Sequence, residues 1–165
     1  MREGCKRQNT KSDSRRPITH KLLCQLVSIL PSVCKSEFEA ILFKAAFLVA
    51  FFGFLRVGEF SSLSKTADTS RLISRADICF KDNGMELIVR YSKTDQRGNS
   101  IPLFFHRAVT TPQFCPVQAM SEYLTIRNPV DGPLFIHFNN SPLTVHQFSF
   151  ILREGVKVSI ILYFT

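Results

Sequence analysis

Arg56 and Glu59 stand three residues apart in Gly53-Phe54-Leu55-Arg56-Val57-Gly58-Glu59-Phe60, directly after the most apolar run of the chain, Ala45-Ala46-Phe47-Leu48-Val49-Ala50-Phe51-Phe52. On a helix, this spacing puts the carboxylate one turn from the guanidinium on the same face. An apolar helix thus delivers a cation held in place by its neighbours. A second cation, Lys93, falls in Tyr91-Ser92-Lys93-Thr94-Asp95-Gln96-Arg97-Gly98-Asn99, where a turn between two strands is expected. A fixed arginine and a mobile hairpin lysine suit a phosphodiester. The guanidinium clamps two non-bridging oxygens, and the ammonium can protonate a departing alkoxide. Taken alone, Arg56 and Glu59 also read as an ordinary surface pair at a helix end, worth a few tenths of a kcal/mol.

The elements that must position these groups follow from periodicity. Pro17 and Thr19 offer a helix start, after which Ile18, Leu22, Leu23, Leu26, Val27 and Leu30 recur at three- and four-residue intervals, so an amphipathic helix is expected to stop near Pro31. Ser36 and Glu39 form a capping-box pattern for the next helix, which runs through the Phe-rich segment and has so short a polar face that it must be the central, buried one. Gly53 is expected to break it, so that Arg56 arrives from a turn or a new helical start. Residues 78–80 and 85–91 read as strands around a hairpin signal at Asn83-Gly84, and residues 100–105 add a third strand, making an antiparallel meander. Helix returns over residues 116–127. Leu134-Phe135-Ile136 is a short extended piece, Asn139-Asn140-Ser141-Pro142 a turn, and Thr144 the cap of a last helix carrying Val145, Phe148, Ile151 and Leu152. Residues 156–165 are β-rich, apolar and uncharged after Lys157, and fit none of these patterns. The order predicts an α+β fold, mainly helical, with a small three-stranded antiparallel sheet.

Composition narrows the partners. A chain of 165 residues with 45% hydrophobic residues can bury a core, and its length favours one domain. The formal net charge of +8 suits a polyanion. The excess is concentrated at the start, where residues 1–21 hold seven Lys and Arg against Glu3 and Asp13, so residues 1–16 read as a basic flexible arm. No secretory signal pattern is present, and an intracellular protein is expected. Glu37, Glu39 and Lys44 crowd one end of the apolar run while Arg56 and Glu59 close the other, too short an interval for the ~20 residues of a membrane span. The five cysteines are scattered without a C-x-x-C pair, and the four histidines are isolated, so reduced structural thiols and no metal site are expected.

Together the two boxes resemble the catalytic domain of tyrosine recombinases and phage-type integrases. Residues 53–63 resemble the family's first-arginine box, and the run from Tyr91 to Leu103 resembles its lysine hairpin. Arg16-Pro17-Ile18-Thr19, Cys115-Pro116-Val117-Gln118-Ala119 and Pro142-Leu143-Thr144 before Phe148 are further matches, in the style of DIRS-type retroelement and crypton recombinases. The resemblance spans roughly residues 15–155. It implies an integrase-like catalytic domain over residues 17–155 that binds the DNA phosphate backbone in the nucleus and needs no cofactor. By the same resemblance Arg56 binds the scissile phosphate, Glu59 supports it, and Lys93 is the general acid on the leaving 5′ oxygen. Further DNA contacts are expected from Arg15 and Arg16 of the arm and from Arg97 of the hairpin.

The sequence departs from the family at its end. The family follows the Phe148 helix with a histidine and a second arginine three residues apart, then a further His or Trp, then the nucleophilic tyrosine. Here His146 precedes Arg153 by seven residues, and Tyr163 is the only tyrosine beyond Tyr123, in a tail (residues 156–165) without the arginine box. The expectation is a domain incomplete at its C-terminus that retains DNA binding but does not cleave as a lone chain, since losing the nucleophile removes the covalent path. The alternative is a domesticated protein-protein interaction module on the same scaffold. In either case the exposed C-terminal surface could meet a partner, including a second copy in a homo-oligomer.

Overall fold

Thr19 opens the first helix by accepting the Leu22 N–H at its hydroxyl, and α1 then runs His20–Val33. The computed structural model describes residues 17–91 and 100–163, with side chains through residue 159. Its element order is α1, α2 (Glu37–Phe52), α3 (Val57–Phe60), β1 (Ile78–Lys81), β2 (Gly84–Val89), β3 (Ile101–His106), α4 (Pro116–Ile126) and α5 (Val145–Tyr163), with short 3-10 turns at Arg75–Asp77 and Pro112–Phe114. The fold is α+β and mainly helical. The three strands form one antiparallel sheet in the order β1-β2-β3, the expected meander. α2 is the central helix, packed against α1 and α4, while α1 packs against α5. Its residues Leu42, Ala45, Ala46, Leu48 and Val49 are wholly buried. Among the described residues no helix is long and apolar enough to cross a membrane.

Two local expectations, on the end of α1 and on residues 156–163, are corrected. α1 does not stop at Pro31 but contains it. Proline removes one N–H from the ladder; the turn is nonetheless closed by the Cys34 N–H on the Leu30 carbonyl and the Ser32 hydroxyl on Ile29 O, while Val27 and Leu30 stay buried. The first hairpin turns over Lys81-Asp82-Asn83-Gly84 as expected, with Lys81 paired to Gly84, and neither central residue has positive φ. Gly84 is required for another reason: a Cβ there would overlap the Phe105 carbonyl oxygen of β3. Finally, residues 156–163, read as an apolar tail fitting none of the other patterns, continue α5. Phe148, Ile151, Gly155 and Ser159 recur at three- and four-residue spacing as its buried face, and Gly155 lets α1 come so near that a Cβ would stand 2.8 Å from Leu26 Cδ2. Packing of one face overrides the β preference of its valines and isoleucines.

Ser36 caps α2 as expected, accepting the Glu39 N–H at 3.2 Å, but Glu39 reaches back to the Lys35 N–H (3.1 Å) rather than to Ser36. Thr144 and Gln147 make the full reciprocal arrangement at the start of α5. The turn at residues 139–142 also forms, with Asn140 at φ 64° and the His137 N–H on the Ser141 carbonyl.

Candidate functional site

Gly53 ends α2, and the chain leaves through two bonds, the Phe54 N–H on Phe51 O (3.4 Å) and the Leu55 N–H on Ala50 O (3.0 Å). This is the Schellman arrangement, in which one residue past the cap takes the left-handed conformation; here Phe54 does so, at φ 51°. Arg56 follows in extended backbone as the residue capping α3. The chain over residues 53–60 therefore breaks and restarts as the sequence predicts.

Both oxygens of Glu59 are committed to Arg56. Oε2 accepts the Arg56 main-chain N–H at 2.9 Å, and Oε1 lies 3.5 Å from Nη1. A guanidinium cannot accept a bond in return, so the carboxylate does the capping alone. The Glu59 side chain is 11% exposed and that of Arg56 52%. The buried partner thus fixes one side of the guanidinium and leaves the other facing solvent. The cap is worth about 1 kcal/mol, and the ion pair, exposed on its arginine side, a few tenths.

A four-residue helix cannot hold this geometry by itself. Phe60, fully buried, anchors α3 edge-on against Phe135 (5.7 Å between centroids) and Phe148 (5.1 Å). The main chain adds the Ile73 N–H on Glu59 O (2.9 Å), the Ser62 N–H on Leu143 O and the Val145 N–H on Ser62 O.

Lys93 and Arg97, in residues 92–99, and Arg15 and Arg16, in residues 1–16, lie outside the described residues. The base of the lysine hairpin is described. The Arg90 Nε bonds Asp77 Oδ1 at 2.6 Å, and Asp77, its side chain 1% exposed, also accepts the Ser74 N–H. The Arg71 guanidinium carbon lies 5.9 Å from the centre of the Tyr91 ring, in cation–π range. Residues 71–77 therefore touch both α3 and the end of β2: Ile73 bonds Glu59, while Arg71 and Asp77 contact Tyr91 and Arg90. Tyr91 and Glu59 are thus contacted from neighbouring points of one strap, Arg71 and Ile73.

Sequence reasoning missed Asp77, Arg71 and Phe54 as parts of this site. Ser74-Arg75-Ala76-Asp77 carries a capping-box spacing that would have flagged Asp77. No local pattern marks its partner Arg90, thirteen residues away, or distinguishes Phe54 from the core phenylalanines beside it.

Other chemistry-bearing groups are less favourably placed. Burial, and then the Glu39 carboxylate, push the Cys34 thiol up to about 11, the opposite of a nucleophile's need. His146 and Arg153 are both exposed on α5. Among the described residues no group of three or more His, Cys, Asp or Glu is placed to hold a metal ion. No family model matches the chain, and neither a curated protein nor a solved structure matches it.

Proposed function

We propose that this chain is a DNA-binding domain of the tyrosine recombinase type that carries half of a strand-exchange site, holds the phosphate backbone, and does not cleave as a lone chain. The observation that supports it best is the strap at residues 71–77, which links the Glu59 that orients Arg56 to the foot of the hairpin bearing Lys93. In this reading Arg56 binds a non-bridging oxygen of the phosphate, and Glu59 keeps the guanidinium from collapsing onto other acceptors. Lys93 supplies the proton for the leaving oxygen in a complete site, with Arg97 and the Arg15-Arg16 arm on flanking phosphates. Nuclear location follows from that role. The sequence contains no His-x-x-Arg pair, and losing even one preorganised phosphate donor costs about a hundredfold to a thousandfold in rate. Binding withstands such a loss better than catalysis does.

Fluorescence anisotropy with a labelled duplex, repeated over a range of salt, tests the reading. Arg56→Ala should weaken binding roughly tenfold, the worth of one charge-assisted bond, and reduce the log-log salt slope by about 0.9. Incubation with a nicked suicide duplex should leave no protein covalently attached. Retention that does not depend on salt, or is equal for Arg56→Ala, sinks the assignment, and a covalent adduct sinks the inactivity.

The interaction-module reading has one observation in its favour. A cleft of about 220 Å³ between α1, α2 and α5 is lined by apolar residues including Leu26, Phe51, Leu55 and Leu152. Absence of DNA binding at low salt, together with self-association in sedimentation, would favour that reading and the homo-oligomer it allows.

A further inference from the structure

We propose that Phe54 is a nucleic-acid contact, its ring lying against the sugar or base edge attached to the phosphate that Arg56 holds; this rests on the DNA-binding reading above. Phe54 violates two preferences at once. It takes φ 51°, the left-handed conformation that a Schellman ending ordinarily gives to glycine, while the available glycine, Gly53, sits one position earlier at φ −88°. It is also 92% exposed, more than any other large apolar side chain among the described residues.

The fold gains nothing from the ring. Leu55 and Ala50 occupy the two positions whose apolar contact accompanies this helix ending, and both line the same cleft. No ring contact involves Phe54 among the described residues, whereas its neighbours Phe51 and Phe52 pack on each other and on His20. A residue that is costly for backbone and solvent alike, and unused in packing, is where a functional explanation is sought.

The neighbouring chemistry identifies the ligand. Leu55 lines the cleft, and the residues before and after it, Phe54 and Arg56, are both exposed. A flat apolar surface thus stands within ~7 Å of chain from a half-exposed guanidinium, which is the pairing of phosphate clamp and ring that tracks a nucleic-acid strand. Apolar side chains inserted at base steps act in the same way on duplexes. A protein partner for Phe54 would have no need of the adjacent cation.

The test uses the full chain and compares the parent, Phe54→Gly, Phe54→Asn, Phe54→Trp and Arg56→Ala on labelled intact and single-strand-gapped duplexes. Phe54→Gly and Phe54→Asn should bind roughly tenfold more weakly with an unchanged salt slope, because a ring contact is lost but no phosphate contact. Phe54→Trp should keep parental affinity. Phe54→Gly should also raise the melting temperature by roughly 3 °C, since glycine suits the conformation. Parental affinity of Phe54→Gly alongside a weakened Arg56→Ala overturns the inference and leaves the DNA reading standing. A salt slope reduced as in Arg56→Ala, or a lower melting temperature for Phe54→Gly, also overturns it, because the ring would then be serving the fold. If the parent shows no salt-dependent binding, the DNA reading and this inference fall together.

Discussion

Arg127→Met is expected to lower the free energy of unfolding by about 3 kcal/mol. Arg127 is 5% exposed, and its guanidinium donates Nε to Leu134 O (3.0 Å), Nη1 to Asn128 O (2.6 Å) and Val130 O (2.9 Å), and Nη2 to Pro133 O (2.9 Å). Its bonds go to main-chain carbonyls, which stand in for a counter-ion. Burial holds its pKa below the usual arginine range, opposed chiefly by the nearby Tyr123 oxygen. Methionine would fill much of the volume but leave these carbonyls without their donor. Arg127→Lys should recover only part of the loss, because one ammonium cannot reach carbonyls spread around a planar fork. Urea denaturation gives the comparison directly. A Met variant with the parental midpoint would show that solvent satisfies the loop equally well.

The consequence reaches the candidate site. Leu134, whose carbonyl Arg127 holds, donates its N–H to Ile73 O (2.8 Å), and Ile73 donates its own to Glu59 O. Tyr123 braces the same segment, its hydroxyl within 3.2 Å of Leu134 O and 3.0 Å of Ile136 O and accepting the Ile136 N–H. Burial pushes that phenol up to about 12. The guanidinium in the core and the guanidinium at the surface are thus joined through two consecutive main-chain hydrogen bonds, Leu134 to Ile73 and Ile73 to Glu59, with a side-chain bond at each end, and no sequence pattern displays them.

What the sequence makes legible is what short-range physics decides. Thr19, Ser36 and Thr144 cap where their spacing predicts, α2 is buried because its polar face is too small to be otherwise, and the Arg56–Glu59 pair follows from three-residue spacing. The reading weakens wherever a distant surface has the deciding role. Residues 156–163 have strand-like composition, yet continue the helix whose buried face, Phe148, Ile151, Gly155 and Ser159, keeps helical spacing, with Gly155 close against α1. Gly84 looks like a turn residue but is needed for the closeness of Phe105. Phe54 continues a phenylalanine-rich run and would pass for core until the helix ending turns it outward. The pinning of the hairpin foot by Asp77 and Arg71 depends on pairings across the fold, which composition and periodicity do not encode.

Gly53→Ala provides the sharpest test of how the fold presents the site. Gly53 has φ −88° and ψ −2°, which alanine adopts freely, so conformation alone would predict a gain of up to ~1 kcal/mol from the better helix former. Space predicts the opposite. The added Cβ would stand 2.8 Å from Val49 O, 2.9 Å from Phe105 Cζ and 3.3 Å from Leu55 Cγ. The carbonyl belongs to α2 and the ring is buried in the sheet, so both resist displacement, and crowding of this kind costs about 1–3 kcal/mol. Relief would come most readily by moving the chain on toward Arg56, which should loosen the Glu59 pairing and lower stability and, on the DNA-binding reading proposed above, DNA affinity as well. Gly58→Ala is the internal control, since a Cβ there meets nothing within 4 Å, and it should be neutral or slightly stabilising. Denaturation midpoints and anisotropy titrations of the two variants decide the matter. If Gly53→Ala matches Gly58→Ala in both, the close approach of β3 to the end of α2 does not govern where Arg56 stands.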